Sequence, residues 1–63
     1  MKLNEFNALD TALKAQITWE EGILESHHTN GDHHFVLYKL SDFFVEILFS
    51  GSTYEIVQVK SFL

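Results

Sequence analysis

Four histidines flank an Asn30-Gly31 turn signal, and they form the one cluster in this chain with obvious chemical potential. Asn and Gly both tolerate the positive φ angles of a type I′ turn, so the pair predicts a tight β-hairpin. A turn centred on Asn30-Gly31 places one histidine pair on each face of the hairpin, with the two Cβ atoms about 5 Å apart. The expected pairs are His28 with His33 and His27 with His34. Two imidazoles at this distance can share a metal ion.

Two ligands do not complete a zinc site, because structural zinc takes four ligands and catalytic zinc takes three and a water. Glu25 or Asp32 could supply a third ligand, and a second copy of the chain could supply more. We interpret the cluster as a solvent-exposed hairpin tip, with the four histidines as weak candidate metal ligands, and we predict no cofactor. The alternative is metal binding or pH sensing, since protonation below about pH 6.5 would set like charges opposite each other.

Catalytic motifs are absent from the sequence. Ser26 is the one serine expected near the histidines, and a catalytic triad needs a positioned nucleophile, base and orienting group. We therefore predict that the protein is not an enzyme. A small enzyme with its site between protomers is the least favoured alternative.

Length and composition point to a small domain that needs additional support. A chain of 63 residues buries only about 60% of its unfolded surface, and the absence of cysteine excludes disulfides. Oligomerisation is the remaining common stabiliser. The net charge of −5 disfavours binding to nucleic acid. The polar N-terminus argues against a signal peptide, and no apolar run suits a membrane span, so we expect a cytoplasmic protein without membrane association.

An N-terminal helix is predicted over residues 5–20, capped by Asn4. Its apolar residues recur at helical spacing, and Gly22 is a candidate left-handed C-terminal cap. A competing interpretation ends the helix near Gln16 and begins a strand at Ile17. The longer helix is preferred. The apolar stripe consists of Phe6, Leu9, Leu13 and Ile17.

Strand-like patterns follow at about 23–29, 33–40, 43–49 and 54–60, separated by three turn signals. Short connections make neighbouring strands antiparallel. The predicted fold is a single α+β domain over residues 1–63, with one N-terminal helix packed on a four-stranded antiparallel β-meander. Turns centred on Ser41-Asp42 and Gly51-Ser52 would pair Leu40 with Phe43 and Phe49 with Tyr54.

Residues 42–50 carry large apolar side chains on both alternating faces of a strand. One face of the predicted sheet would hold the helix on a core that includes Ile23, Val36, Tyr38, Val45, Ile47, Phe49, Tyr54 and Ile56. The second face would carry Leu24 and Val59 together with the predicted interface, which is Phe35, Leu37, Lys39, Phe44, Glu46, Leu48 and Val57. A large apolar face on a small domain favours a homodimer or a protein partner.

Two alternatives to this interface remain open from the sequence. One or more strand registers could be shifted by a residue, or Ser61-Phe62-Leu63 could fold back over the second face. Within the face, a diagonal pair between Lys39 and Glu46 is expected, because a covered carboxylate normally has a partner.

The string LYKLSDFFVEI at 37–47, with Glu55-Ile56 and the closing Ser61-Phe62, resembles a group of small uncharacterised bacterial proteins. These have an N-terminal helix ending in Gly, a pattern similar to LY-x-L-x-x-F-[YF]-V-E-V, and a closing aromatic residue. The resemblance spans most of the chain and implies a helix with a four-stranded antiparallel sheet. It implies no activity, and the histidine-rich turn lies outside the pattern.

Overall fold

The computed structural model describes residues 1–63 and confirms the predicted α+β class. Two helical segments precede four antiparallel strands, which form one sheet in the order β1-β2-β3-β4. Neither helix has the length and apolar composition of a membrane-spanning helix. The elements are α1 (Leu3–Asn7), α2 (Thr11–Glu21), β1 (Ile23–Asn30), β2 (His33–Leu40), β3 (Phe43–Ser50) and β4 (Ile56–Phe62).

The prediction of one helix over residues 5–20 is wrong, because the helical region is divided at residues 8–10. Asn4 lies inside α1 and does not cap it; the cap is Lys2, whose backbone N–H donates to Glu5 Oε1 at 2.7 Å. Asp10 then caps α2, and its carboxylate accepts a hydrogen bond from Leu13 N at 2.9 Å. Asp is a strong N-cap residue, so the second helix begins immediately after Asp10.

The longer of the two predicted helix ends is confirmed, since α2 continues to Glu21. Gly22 follows it but does not adopt the predicted left-handed conformation, with φ at −77°. Its lack of a side chain is needed for space: a Cβ there would lie 2.5 Å from Thr18 O and 3.3 Å from the Cβ of Tyr38. Gly22 therefore lets the end of α2 approach β2 closely.

The core is a small cluster between the helices and one side of the sheet. Phe6 of α1 packs against Phe43 of β3, with ring centroids 5.4 Å apart. Thr18 is also buried, and its hydroxyl donates to Lys14 O at 2.7 Å. The buried apolar residues are Phe6, Ala15, Leu40, Phe43, Val45 and Ile47.

The first hairpin turns one residue later than predicted. Gly31, with φ at 62°, and Asp32 form its two-residue loop, and Asn30 pairs with His33. Glycine at the first loop position is the preference of a type II′ turn. Both predicted histidine pairs are therefore wrong: β1 and β2 instead align His27 with Val36, His28 with Phe35 and Thr29 with His34.

A β-bulge at Glu25 then exchanges the faces of the two residues before it. The register shifts between Leu24 and Ser26, so that Leu24 lies opposite Tyr38 and Ile23 lies opposite Lys39. Because a one-residue slip moves side chains to the other face, Leu24 joins the helix side and Ile23 leaves it. This placement is the reverse of the predicted one.

The second hairpin has the predicted register, with Leu40 opposite Phe43. The third does not, because its loop is longer: Phe49 pairs with Ile56 in place of Tyr54. The register shifts again beyond this pair, and Leu48 lies opposite Gln58. Val59 consequently reaches the helix side opposite Ile47. The shifted-register alternative is thus correct for the first and third hairpins.

Introducing glycine at the second hairpin turn and removing it from the first should change the stability in opposite directions. Ser41 adopts a φ of 59° at the first loop position of the second hairpin, where Gly31 stands in the first. A left-handed conformation costs an L-residue about 1–2 kcal/mol relative to glycine. We expect Ser41→Gly to raise the free energy of unfolding by about 1 kcal/mol, and Gly31→Ser to lower it by a similar amount. Urea denaturation of each variant measures the change. A stability loss in Ser41→Gly would contradict this account of the turn.

Candidate functional site

The sheet side away from the helices is uncovered, and we call it the open face. Strand register places six of the seven predicted interface residues there, in directly paired positions of β2 and β3. β1 and β4 add further residues on either side. The open face consists of Ile23, Ser26, His28, Asn30, His33, Phe35, Leu37, Lys39, Phe44, Glu46, Leu48, Ser50, Gln58, Lys60 and Phe62.

Aromatic contacts hold this surface together across the strands. His28 stacks on Phe35 with ring centroids 4.6 Å apart and an interplanar angle of 10°. Phe44 stacks on Phe62 at 5.8 Å. The ammonium group of Lys39 lies 5.9 Å from the centroid of Phe44, which is a cation–π geometry. Stacked rings at two places on one exposed face are typical of interaction surfaces.

Glu46 is the one carboxylate at a paired position on the open face. Lys60 lies directly opposite it on β4, and Leu37 lies opposite it on β2. Lys39 is the diagonal neighbour expected from the sequence, but its ammonium group is placed over Phe44. The directly opposed cation is therefore Lys60, which the predicted β4 register did not bring to this position.

Val57 does not fit the predicted interface as the other six residues do. It lies at the register shift of β4, between Ile56 and Gln58, and has no directly aligned partner on β3. The apolar residue that β4 contributes to the open face is Phe62 in place of Val57, and it lies opposite Phe44. The chain end thus extends β4 and does not fold back over the face.

The helix side of the sheet has a groove where the helices do not reach. Its volume is about 400 Å³. Val36, Tyr38 and Phe49 form an apolar floor, with Leu24 at one side. We call this cavity the helix-side groove.

Three imidazoles and a phenol border the helix-side groove. His34 is stacked with Tyr54, with centroids 5.6 Å apart and planes within 7° of parallel. Its Nδ1 also lies 3.1 Å from the hydroxyl of Thr29. His27 comes from the neighbouring strand, on the same side of the sheet. His28 and Phe35, which belong to the open face, also line the groove.

The loop that carries Tyr54 is hydrogen-bonded to the first hairpin turn. Gly51 N donates a hydrogen bond to Asp32 O, and a Cβ at Gly51 would lie 2.5 Å from that oxygen. Within the loop, Tyr54 N donates to Ser50 O at 2.8 Å. The two hairpin ends are therefore joined by backbone contact, which sets Tyr54 beside His34.

No family model matches this chain, and neither a curated protein nor a solved structure matches it. The resemblance of residues 37–47 to small bacterial proteins stays a prediction. The open face and the helix-side groove are therefore the features of the molecule that bear on its function.

The four histidines lie two on each side of the sheet, as in the predicted hairpin, but not in directly opposed pairs. His28 and His33 lie on the open face, whereas His27 and His34 lie on the helix side. No group of three or more His, Cys, Asp or Glu side chains could hold a metal ion. The premise of the pH-sensing alternative fails as well, because no two of the histidines are directly opposed.

The one hydroxyl–imidazole pair, Thr29 with His34, falls short of a catalytic arrangement. A nucleophile and base also need an orienting group and donors for an oxyanion. His34 has Tyr54 stacked beside it but no carboxylate among its hydrogen-bond partners. The arrangement supports a structural contact at the groove rim.

Zinc should therefore leave the folded state almost unchanged. A site with a Kd of about 1 µM would add about 2.7 kcal/mol to the free energy of unfolding at about 100 µM zinc. We expect thermal unfolding to shift by less than about 2 °C between zinc and a chelator, because one imidazole pair on each side of the sheet gives incomplete coordination. A large rise in Tm that His27→Leu or His34→Leu abolishes would establish a metal site.

Proposed function

We propose that this protein is a non-catalytic interaction module that forms a homodimer through the open face of its sheet. The observation that carries the proposal is the uncovered aromatic and aliphatic face on a chain with six buried apolar residues. A surface of this kind is unusual on a monomer, and burying it would enlarge the small core.

The size of the open face is sufficient for a specific dimer. Four strands spaced about 4.8 Å apart and about eight residues long, at about 3.3 Å per residue, give a face of about 500 Å². Two such faces would bury about 1,000 Å² in total, which is the lower limit of specific interfaces. Sheets packed face to face align at about −30°, and this arrangement keeps both faces in contact over most of their length.

The charges on the open face favour a second copy as the partner. The face carries both signs, with Lys39 and Lys60 near a single Glu46. A twofold axis brings the same patch of each protomer together, so residue i meets residue j and residue j meets residue i. Glu46 of one protomer can then face Lys39 of its partner while remaining beside its own Lys60. Each carboxylate would be covered with a cation on both sides, as burial of a charge requires.

The proposed location is the cytoplasm. Small secreted domains of this length usually depend on disulfides, and this chain has no cysteine. A dimer interface would supply the support that disulfides give to such domains.

Sedimentation velocity over a concentration series, at neutral pH with a chelator present, tests the proposal. The expected result is a species of twice the 7.3 kDa chain mass that dissociates only on dilution. A monomer at every concentration would contradict homodimerisation. It would leave a different protein as the partner of the open face.

Phe44→Glu should convert the dimer to a soluble monomer. The substitution places a carboxylate on the face between Lys39 and Phe62, where the partner would cover it at a cost of several kcal/mol. Phe44 is only partly buried within its own protomer, so the fold should persist. Leu13→Glu is the matched control, because Leu13 is 45% exposed and belongs to α2, outside the open face.

Sedimentation of both variants, with circular dichroism to verify folding, decides the outcome. We expect monomeric Phe44→Glu and dimeric Leu13→Glu. A Phe44→Glu protein that stays dimeric would show that the open face is not the interface. The first hairpin's exposed edge strand β1 would then be the surface to examine.

A further inference from the structure

We propose that the helix-side groove binds a small planar aromatic anion, such as an aromatic carboxylate. Apart from His28 and Phe35, the residues that line the groove lie outside the open face, so this inference does not depend on the proposed homodimer.

The shape of the groove suits a ligand of one or two fused rings. Its volume of about 400 Å³ falls within the about 300–1,000 Å³ that is usual for small-molecule sites. Tyr38, which Gly22 approaches at the end of α2, lines the groove, and so does Tyr54 of the loop between β3 and β4. Val36 and Phe49 offer an apolar floor.

The backbone of Tyr54 is held in a conformation that its residue type disfavours. Its φ is 60°, a left-handed value that is normally taken by Gly or Asn. The residue is nevertheless 71% exposed, so core packing does not explain the choice of tyrosine. Unfavourable backbone conformations of this kind concentrate at functional sites. Here the conformation places an aromatic ring at the mouth of the groove, parallel to the imidazole of His34.

The parallel rings of Tyr54 and His34 indicate a planar ligand. The two rings lie within 7° of parallel with centroids 5.6 Å apart, which is too close for a third ring between them, so a ligand would stack on an outer face. Aromatic pairs prefer offset-stacked or edge-to-face contacts, and a flat aromatic ligand could make either with these rings. An aliphatic ligand would fill the floor but would leave this oriented rim unused.

The polar groups at the groove favour a negative ligand. The chain has a net charge of −5 and nine acidic residues, yet no Asp or Glu lines the groove. His27 and His34 are diagonal neighbours on adjacent strands there. Imidazole N–H groups can donate hydrogen bonds to a carboxylate, and Nδ1 of His34 is already engaged by Thr29, so its Nε2 is the free ring nitrogen.

Titration with 1-naphthoate, followed by the backbone amide NMR spectrum, tests the proposal on the intact chain. The neutral 1-naphthalenemethanol and the cationic 1-naphthylmethylammonium are the comparison probes. We expect saturable shifts at Val36, Tyr38, Phe49 and Tyr54, with a Kd of about 1 mM or tighter for the anion. The neutral probe should bind more weakly, and the cation more weakly still.

Tyr54→Asn separates a binding role from a structural one. Asn tolerates the left-handed conformation, so the thermal midpoint should be unchanged or higher. Loss of the ring should weaken 1-naphthoate binding by about tenfold. His27→Leu should weaken the anion and not the neutral probe. His33→Leu is the matched control, because His33 belongs to the same hairpin but lies on the open face, and it should bind as the wild type does.

Several results would overturn this assignment. They are the absence of saturable shifts, shifts centred on Phe44 and Leu48, tightest binding of the cation, or a Tyr54→Asn variant that binds like the wild type. The monomeric Phe44→Glu protein should bind 1-naphthoate as the wild type does. Binding by that monomeric variant would show that the groove binds its ligand without the dimer interface.

Discussion

The limited cover that two short helices give to a four-stranded sheet is the constraint on which the rest of the structure depends. α2 has 11 residues and is about 16 Å long at 1.5 Å per residue. A sheet has two faces, and the helices here lie on one of them and bury only a small cluster around Phe6 and Phe43. The remaining sheet surface consists of the open face on one side and the helix-side groove on the other. Both proposals concern surfaces that this short helical layer leaves free.

Two β-bulges decide which residues occupy those surfaces. The bulge at Glu25 turns Leu24 toward the groove and sends Ile23 to the open face. The irregularity at Val57 brings Lys60 and Phe62 to the open face. Without the second, Glu46 would have no directly opposed cation. Each bulge acts by one residue, and this small change exchanges whole side chains between faces.

The sequence predicts the fold class and the central hairpin well, for physical reasons. The period-two pattern is strong in β2 and β3, and the two-residue Ser41-Asp42 turn leaves one register that buries Phe43. The outer strands are less predictable. Asn30-Gly31 suggests a turn centre one residue away from the observed Gly31-Asp32 loop. Gly51 to Glu55 form a longer loop than the predicted Gly51-Ser52 turn. The groove could not be predicted, because it depends on that loop bringing Tyr54 to His34.

The most direct test of the central claim is an isotope-filtered NOE experiment on a mixture of labelled and unlabelled protein. The account predicts intermolecular NOEs among the side chains of Phe35, Phe44 and Leu48, which share the open face of one protomer. Intermolecular NOEs confined to β1, or none in a sample at high concentration, would contradict association through the open face.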